Sequence, residues 1–323
     1  MTLITSSIEE RVDDFLNFLA SHAVHIQNPT MLSEKLMSIA RDGPTQFQIV
    51  SDFDKTMTPQ WLNNPHGNPG SLVPCHASHG VIETSPFVSP EYSKHTRELA
   101  AYYMPLEHDI HLTNGEKTKI CEEWYHKAHT GMLGEKLSSD ILDKIVHHCW
   151  SEMEIHLRLR TSEVFSMCKT LGIPVTVLSA GLADVIERIL ALEGILSLPN
   201  TDPDILAVGN RMLFNPDGSH YGFSEPCIHA YNKKHALTQA LINDSLRAER
   251  ANAIVMGDLI ADVEFVHSIP HLSKYIAIGF LADGPNHEER LNEYLKHFDI
   301  VVTGGSASME VPLRVLEVLF ERT

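Results

Sequence analysis

Positive charge is what this sequence has least of. Lysine and arginine together number 25 against 42 aspartates and glutamates, a formal net charge of −17 over 323 residues. A surface so acidic repels nucleic acid and anionic membranes and excludes both as partners. No run approaches the ~20 apolar positions of a membrane-spanning helix. The opening MTLITSSIEERVDDF has neither the basic start nor the apolar stretch of a secretory signal, so a cytoplasmic protein is expected. Cysteine is scarce too: Cys75, Cys121, Cys149, Cys168 and Cys227 are odd in number and irregularly spaced. They exclude a disulfide framework and read as reduced thiols. Neither an internal repeat nor a low-complexity tract is present.

What is there is a globular composition, 43% hydrophobic and 21% charged. The chain is long enough for one large domain with an insertion, or for two domains. Apolar spacing predicts helices over 8–22 and 30–41, and FQIVS (47–51) a short strand. The Pro/Gly/Asn/His-rich PQWLNNPHGNPGSLVPCHASHG marks a composition break, read as loop over 59–89. Helical stretches follow over about 90–103, 115–130 and 138–159, with no strand among them. Beyond Thr161 the texture alternates: helix 162–171, a strand ending at Ser179, helix 182–192, a hairpin over 204–223 turning at NPDG, and helix 233–247. The strands NAIVMGD, YIAIGF and DIVVTGG and a closing helix over 308–321 complete the pattern. Alternation of this kind predicts a parallel sheet covered on both faces. The expected fold is therefore α/β: a Rossmann-like core from 1–60 and 161–323, with an all-helical cap, 61–160, inserted after the first strand.

In open α/β sheets ligands collect at the carboxyl ends of strands, and three such ends carry polar signals. They are Asp52-Phe53-Asp54, then Ser179-Ala180-Gly181, then Asp258 with Asp262 in GDLIAD. Singly, each is explained by a turn or a helix cap; together, in order, they point to phosphoryl transfer. A carboxylate attacking phosphorus forms an aspartyl-phosphate and splits one hard displacement into two. A second carboxylate two residues on can serve the leaving group as acid. Mg²⁺ takes oxygen ligands and few protein carboxylates beside the substrate phosphate, and Asp258 and Asp262 complete such a set. The Ser179 hydroxyl and the N–H groups opening the helix near Leu182 suit phosphate oxygens. Lys233 or Lys234 in HAYNKKHA supplies the missing cation, although a solvated lysine pair is the plainer reading of that stretch taken alone.

DFDKT, LSAG, a loop lysine and GDLIAD, in that order, resemble the motif set of the haloacid dehalogenase superfamily of phosphohydrolases. The longer segments FQIVSDFDKTMT, EEWYHKAH, IPVTVLSAGLADVIE, HAYNKKHA, VMGDLIADVEF and IAIGFL are together similar to the cytosolic 5′-nucleotidase III, or pyrimidine 5′-nucleotidase, family. The resemblance implies Asp52 as nucleophile and Asp54 as general acid and then base, the backbone carbonyl of Asp54 also meeting the metal. It implies phosphate contacts from Ser179 and Ala180, and charge neutralisation by Lys233 rather than Lys234. It implies Mg²⁺ held by Asp52, Asp54 and Asp258, with Asp262 in the outer shell. Leu259 and Ala261 stand where the family has serine and glycine. Glu107, after the Tyr102-Tyr103 pair, falls where the family contacts the base; a carboxylate there accepts from the exocyclic amine of cytosine or the N1–H and N2–H₂ edge of guanine. Ala128 replaces a family serine, and Tyr102, Tyr103 and Trp124 are candidates for base stacking or cap packing. His79 is a candidate for approaching the nucleotide from the hinge, while Cys75, His76 and His79 lack the fourth ligand a structural zinc needs. The implied activity is hydrolysis of nucleoside 5′-monophosphates (CMP, UMP or 7-methyl-GMP), with nucleoside phosphotransfer as a side reaction, by a monomer or weak dimer. The alternatives are a capped phosphatase for phosphoserine or another small phosphometabolite, and a non-catalytic nucleotide-binding module.

Overall fold

The computed structural model describes residues 7–22, 24–107, 109, 111–242 and 244–320. Its strands are β1 (Val24–Ile26), β2 (Phe47–Ser51), β3 (Trp61–Asn63), β4 (Leu72–Pro74), β5 (Val175–Leu182), β6 (Ile205–Asn210), β7 (Met212–Phe214), β8 (His220–Phe223), β9 (Asn252–Gly257), β10 (Lys274–Leu281) and β11 (Ile300–Thr303). Seven of them form one sheet in the order β1-β11-β10-β9-β2-β5-β6. Six run parallel, and β1 closes one edge antiparallel to β11. Strands covered on both faces must be apolar on both, and every residue of β2 and of β9 is buried.

One face of the sheet carries the larger core. There Phe47, Ile49, Ile254, Met256, Ile278 and Phe280 pack under helices Ile8–Ala20, Pro29–Asp42, Thr161–Leu171, Ala183–Leu192 and Glu310–Phe320. On the other face Val50, Leu178, Ala253 and Val255 meet Leu237 and Leu241 of helix Lys233–Leu241, while Ala277 and Val301 meet Tyr294 and Phe298. At roughly 25 cal/mol per Å² of apolar surface removed from water, these two layers are the main term holding the strand ends in place.

The sequence reading needs correction at several points. The 59–89 segment is not all loop: β3 and β4 pair into a small antiparallel hairpin, and Gly80–Glu83 forms one helical turn. The insertion is thus not helical throughout. The helix expected over 138–159 stops at Ser151, and the chain then returns to the core without regular structure. Within 204–223, β6 joins the main sheet and only β7 and β8 form the hairpin. Helix 233–247 ends at Leu241 and resumes briefly over Ser245–Ala248. The edge strand β1 and helix His287–Tyr294 went unpredicted; three residues of strand and a strongly polar helix give little periodic signal.

The three long helices of the insertion, Pro90–Glu107, Asn114–Leu133 and Ser139–Ser151, do not form one unit. Leu142, Ile145, Val146 and Cys149 of the last belong to the large core, which Tyr92 of the first and Met132 of the second also join, whereas Leu99, Tyr103 and Ala128 of the first two make a small separate cluster with Ile120 and Trp124. No helix among the described residues is long and apolar enough to cross a membrane.

Candidate active site

Register brings the polar motifs to one edge of the sheet. Ser51 of β2 sits level with Met256 of β9 on one side and Val177 of β5 on the other. The next residue, Asp52, donates its N–H to the Met256 carbonyl at 3.0 Å. Asp258 lies two residues beyond Met256 and Ser179 two beyond Val177, so the central strand carries its aspartate between the other two signals.

Asp52 is buried. Its Oδ1 accepts from Lys233 Nζ at 2.5 Å and its Oδ2 from Thr56 Oγ1 at 3.2 Å. Lys233, likewise buried, also reaches Asp262 Oδ1 at 3.4 Å. Lys234, the other lysine of the pair, is exposed. Burial alone would lower the Lys233 pKa, but Asp262 and Asp52 outweigh it and hold the ammonium above the ordinary lysine range. Asp262 Oδ2 accepts from the Leu259 N–H at 3.0 Å. The glycine of GDLIAD permits this packing: a Cβ on Gly257 would lie 2.3 Å from the Cβ of Asp262.

Asp52, Asp258 and Asp262 can each present a carboxylate oxygen within 4.8 Å of the other two. Burial first, then Asp52 and Asp262, push Asp258 well above the carboxylate range, and burial pushes Asp262 up to about 6 despite Lys233. Three acids facing one ammonium leave excess negative charge in a dry site. Such an oxygen donor set fits a hard divalent cation, which would relieve that repulsion. No other group of three ligand-bearing side chains so close together occurs among the described residues, so Cys75, His76 and His79 form no such centre.

Asp54 is placed differently. Its carboxylate accepts from Ser78, Oδ1 from the N–H at 2.8 Å and Oδ2 from the hydroxyl at 2.9 Å. Burial, then the Asp52 charge, push Asp54 up to about 6. Ser179 is buried, its Oγ accepting the Gly181 N–H at 2.9 Å. The Ala180 carbonyl accepts from Asn210 Nδ2 at 2.8 Å; Asn210 also donates to the Ile228 carbonyl and accepts from the Ile228 N–H. β5 does not end at Ser179 but runs on through the SAG segment to Leu182, and this buried amide ties that segment to the loop that ends in Lys233, a link between sequence-distant segments that no local pattern announces.

Groups from the insertion meet the loop that carries Lys233. Glu107 ends helix Pro90–Glu107, with Cys121 Sγ 3.6 Å from its Oε1, and its backbone carbonyl accepts from the Tyr231 hydroxyl at 3.2 Å. Tyr231 precedes Lys233 by two residues, so the helical insertion and the lysine loop touch here. Tyr125 is held far above the ordinary tyrosine range by burial and then by Glu107, with Lys233 acting the other way, so it sits within electrostatic reach of both. His79 Nε2 lies 3.5 Å from His129 Nε2, and His129 stacks on Phe223 at 3.9 Å. Burial lowers His79 to about 3 and His129 to about 4, which leaves both neutral at pH 7. Tyr103 stacks on Trp124 and bonds Glu123, and Ala128 is buried in the same small cluster, whereas Tyr102 is 65% exposed.

One buried cation went unnoticed in the sequence. Arg158 donates from Nε to the Thr56 carbonyl at 2.8 Å, from Nη2 to Lys55 at 2.8 Å and from Nη1 to Ala307 at 2.6 Å, while its own N–H meets the Met57 carbonyl at 2.8 Å. Burial lowers it only to about 10, so it remains charged. It clamps the turn that follows Asp54 to the chain returning from the insertion.

Over residues 68–320 the chain matches the family model described as Pyrimidine 5′-nucleotidase (UMPH-1). It is 28% identical over 284 residues to the 7-methylguanosine phosphate-specific 5′-nucleotidase of Gallus gallus, covering 88% of this chain and 92% of that one. The protein so named in Drosophila melanogaster is 30% identical over 310 residues, or 96% and 91% of the two chains. The crystal structure of cytosolic 5′-nucleotidase IIIB bound to cytidine superposes with a TM-score of 0.80 at 29% identity, covering 96% of this chain and 97% of that one.

Proposed function

The chain belongs to the pyrimidine 5′-nucleotidase family, and from that premise we propose that it hydrolyses 7-methyl-GMP or a pyrimidine nucleotide such as CMP through an aspartyl-phosphate on Asp52. It is a phosphoric monoester hydrolase acting on nucleoside monophosphates. The observation that carries the reading is the buried Asp52–Lys233 pair, 2.5 Å apart, beside Asp258 and Asp262.

Asp52 attacks phosphorus, and Lys233 offsets the charge that gathers on the phosphoryl oxygens. Asp54, whose proton is retained up to about pH 6, protonates the departing nucleoside oxygen and then takes a proton from the hydrolytic water. Ser179 and the Ala180 backbone receive the phosphate. Asp52, Asp258 and the Asp54 carbonyl would hold Mg²⁺, with Asp262 behind them, where it bonds Lys233 and the Leu259 N–H. When bound, Mg²⁺ supplies charge neutralisation and orientation of the phosphate. The helices Pro90–Glu107 and Asn114–Leu133 act as the recognition cap over a core made of the remaining sheet and helices, and Glu107 reads the base. The same reading puts the enzyme in the cytosol, as the name of the cytidine-bound relative has it.

The test is phosphate release from CMP, UMP, 7-methyl-GMP, AMP and phosphoserine, each with Mg²⁺ and with EDTA. Turnover of 7-methyl-GMP or a pyrimidine nucleotide that stops with chelator is expected. Turnover of phosphoserine alone, or of nothing at any magnesium concentration, contradicts the proposal.

A further inference from the structure

Both carboxylate oxygens of Asp54 are taken up by a single residue. The Ser78 backbone N–H meets Oδ1 and its hydroxyl meets Oδ2, at 2.8 and 2.9 Å. Two parallel donors fix the carboxylate plane as well as its position; one donor fixes only a point and leaves the plane free to turn. Ser78 is fully buried, and the space around it is spent: a Cβ on Gly181 would fall 1.7 Å from its Oγ and 3.1 Å from Asp54 Oδ2. The glycine of the SAG segment, in β5, therefore makes room for this contact.

Ser78 is not part of the sheet core. It lies in the insertion, after β4 and just before the helical turn Gly80–Glu83. The His76 N–H bonds the Glu154 carbonyl at 2.8 Å, which links the strand of chain entering the insertion to the one leaving it. The Val81 N–H bonds the Ala77 carbonyl at 3.1 Å, so Ser78 lies inside a closed turn. The orientation of Asp54 is thus dictated by the insertion, while Asp52 and Lys233 are set by the sheet and its loops.

We propose that Ser78 is a positioning residue for the leaving-group step, holding the Asp54 carboxyl toward the departing nucleoside oxygen and tying that acid to the insertion. A general acid works only within hydrogen-bond reach of the atom it protonates, and an insertion that moves away would carry Ser78 with it. The inference rests on the reading of Asp54 as the acid.

The experiment compares kcat/KM, which reports the steps up to release of the leaving group, for two kinds of ester. A nucleoside alkoxide needs a proton to depart; p-nitrophenolate does not. For Ser78→Ala, which removes the hydroxyl without adding bulk, we expect a loss of about 10- to 100-fold on the nucleotide and under about 3-fold on p-nitrophenyl phosphate. Asp54→Asn, run alongside, should show the same selectivity more strongly. An equal loss on both esters for Ser78→Ala overturns the positioning role, as does no loss at all. If Asp54→Asn itself affects both esters alike, the acid assignment falls and the inference falls with it. Thermal melts of each variant separate unfolding from lost catalysis.

Discussion

At the scale of single residues the site divides its labour by what each side chain is bonded to. Asp52 and Asp54 are two positions apart, yet one faces an ammonium and a hydroxyl and the other a serine held by the insertion. Asp52, Asp54, Lys233 and Asp258 were legible in the sequence because each follows a strand or opens a helix, where residue type and position carry the same message; Ser179, expected at a strand end, instead lies within β5, which runs on to Leu182. Ser78, Asn210 and Arg158 were not, because their partners lie 18 to 149 residues away and nothing local marks them. Glu107 stands between these cases, reachable by resemblance and not by periodicity. If it reads the base, Glu107→Ala removes hydrogen bonds to a charged acceptor, each about 1.5–3 kcal/mol. Activity on the preferred nucleotide should then fall about 10- to 100-fold, while p-nitrophenyl phosphate hydrolysis stays within about 2-fold. Comparing kcat/KM for the two esters checks it, and equal losses would remove Glu107 from base recognition.

At the scale of elements the decisive feature is that β9, β2 and β5 run parallel in register. Three chain segments far apart in sequence then end at one level, and no loop has to reach to bring their acids together. Alternation of strand and helix made this sheet legible, and apolar runs such as NAIVMG located its central strands. The β3–β4 hairpin escaped because its strands are three residues each amid prolines, glycines and asparagines, a composition that reads as loop. Arg158 belongs to this scale as well, since its guanidinium binds three backbone carbonyls of two separate segments. Replacing it by methionine leaves those buried carbonyls unpaired, at about 1 kcal/mol or more each. Arg158→Met should therefore lose about 2–4 kcal/mol in denaturant unfolding and also slow turnover, since the turn it grips follows Asp54. Unchanged stability and activity would mean that water replaces the guanidinium at no cost.

At the scale of the whole molecule the acidic balance noted at the outset finds its local counterpart. The chain carries 17 more acids than bases, and its site repeats the imbalance, three aspartates around one lysine. A negatively charged ester approaching such a site needs cationic help, and Lys233 alone does not balance the charge. The insertion was expected as one helical block over 61–160. Its third helix is instead anchored in the main core through four residues, while the first two send Tyr92 and Met132 there and keep a small cluster of their own. Apolar periodicity shows that a helix has a buried face but not which core that face joins, so this distinction lay beyond the sequence. Every role assigned here assumes that Asp52 carries the phosphoryl group between the two half-reactions. Acid quenching during turnover of the preferred nucleotide, followed by proteolysis and mass spectrometry, tests this most directly. One phosphoryl group on the peptide bearing Asp52, absent from Asp52→Asn, is the predicted result; label on another residue, or turnover persisting in Asp52→Asn, would contradict it.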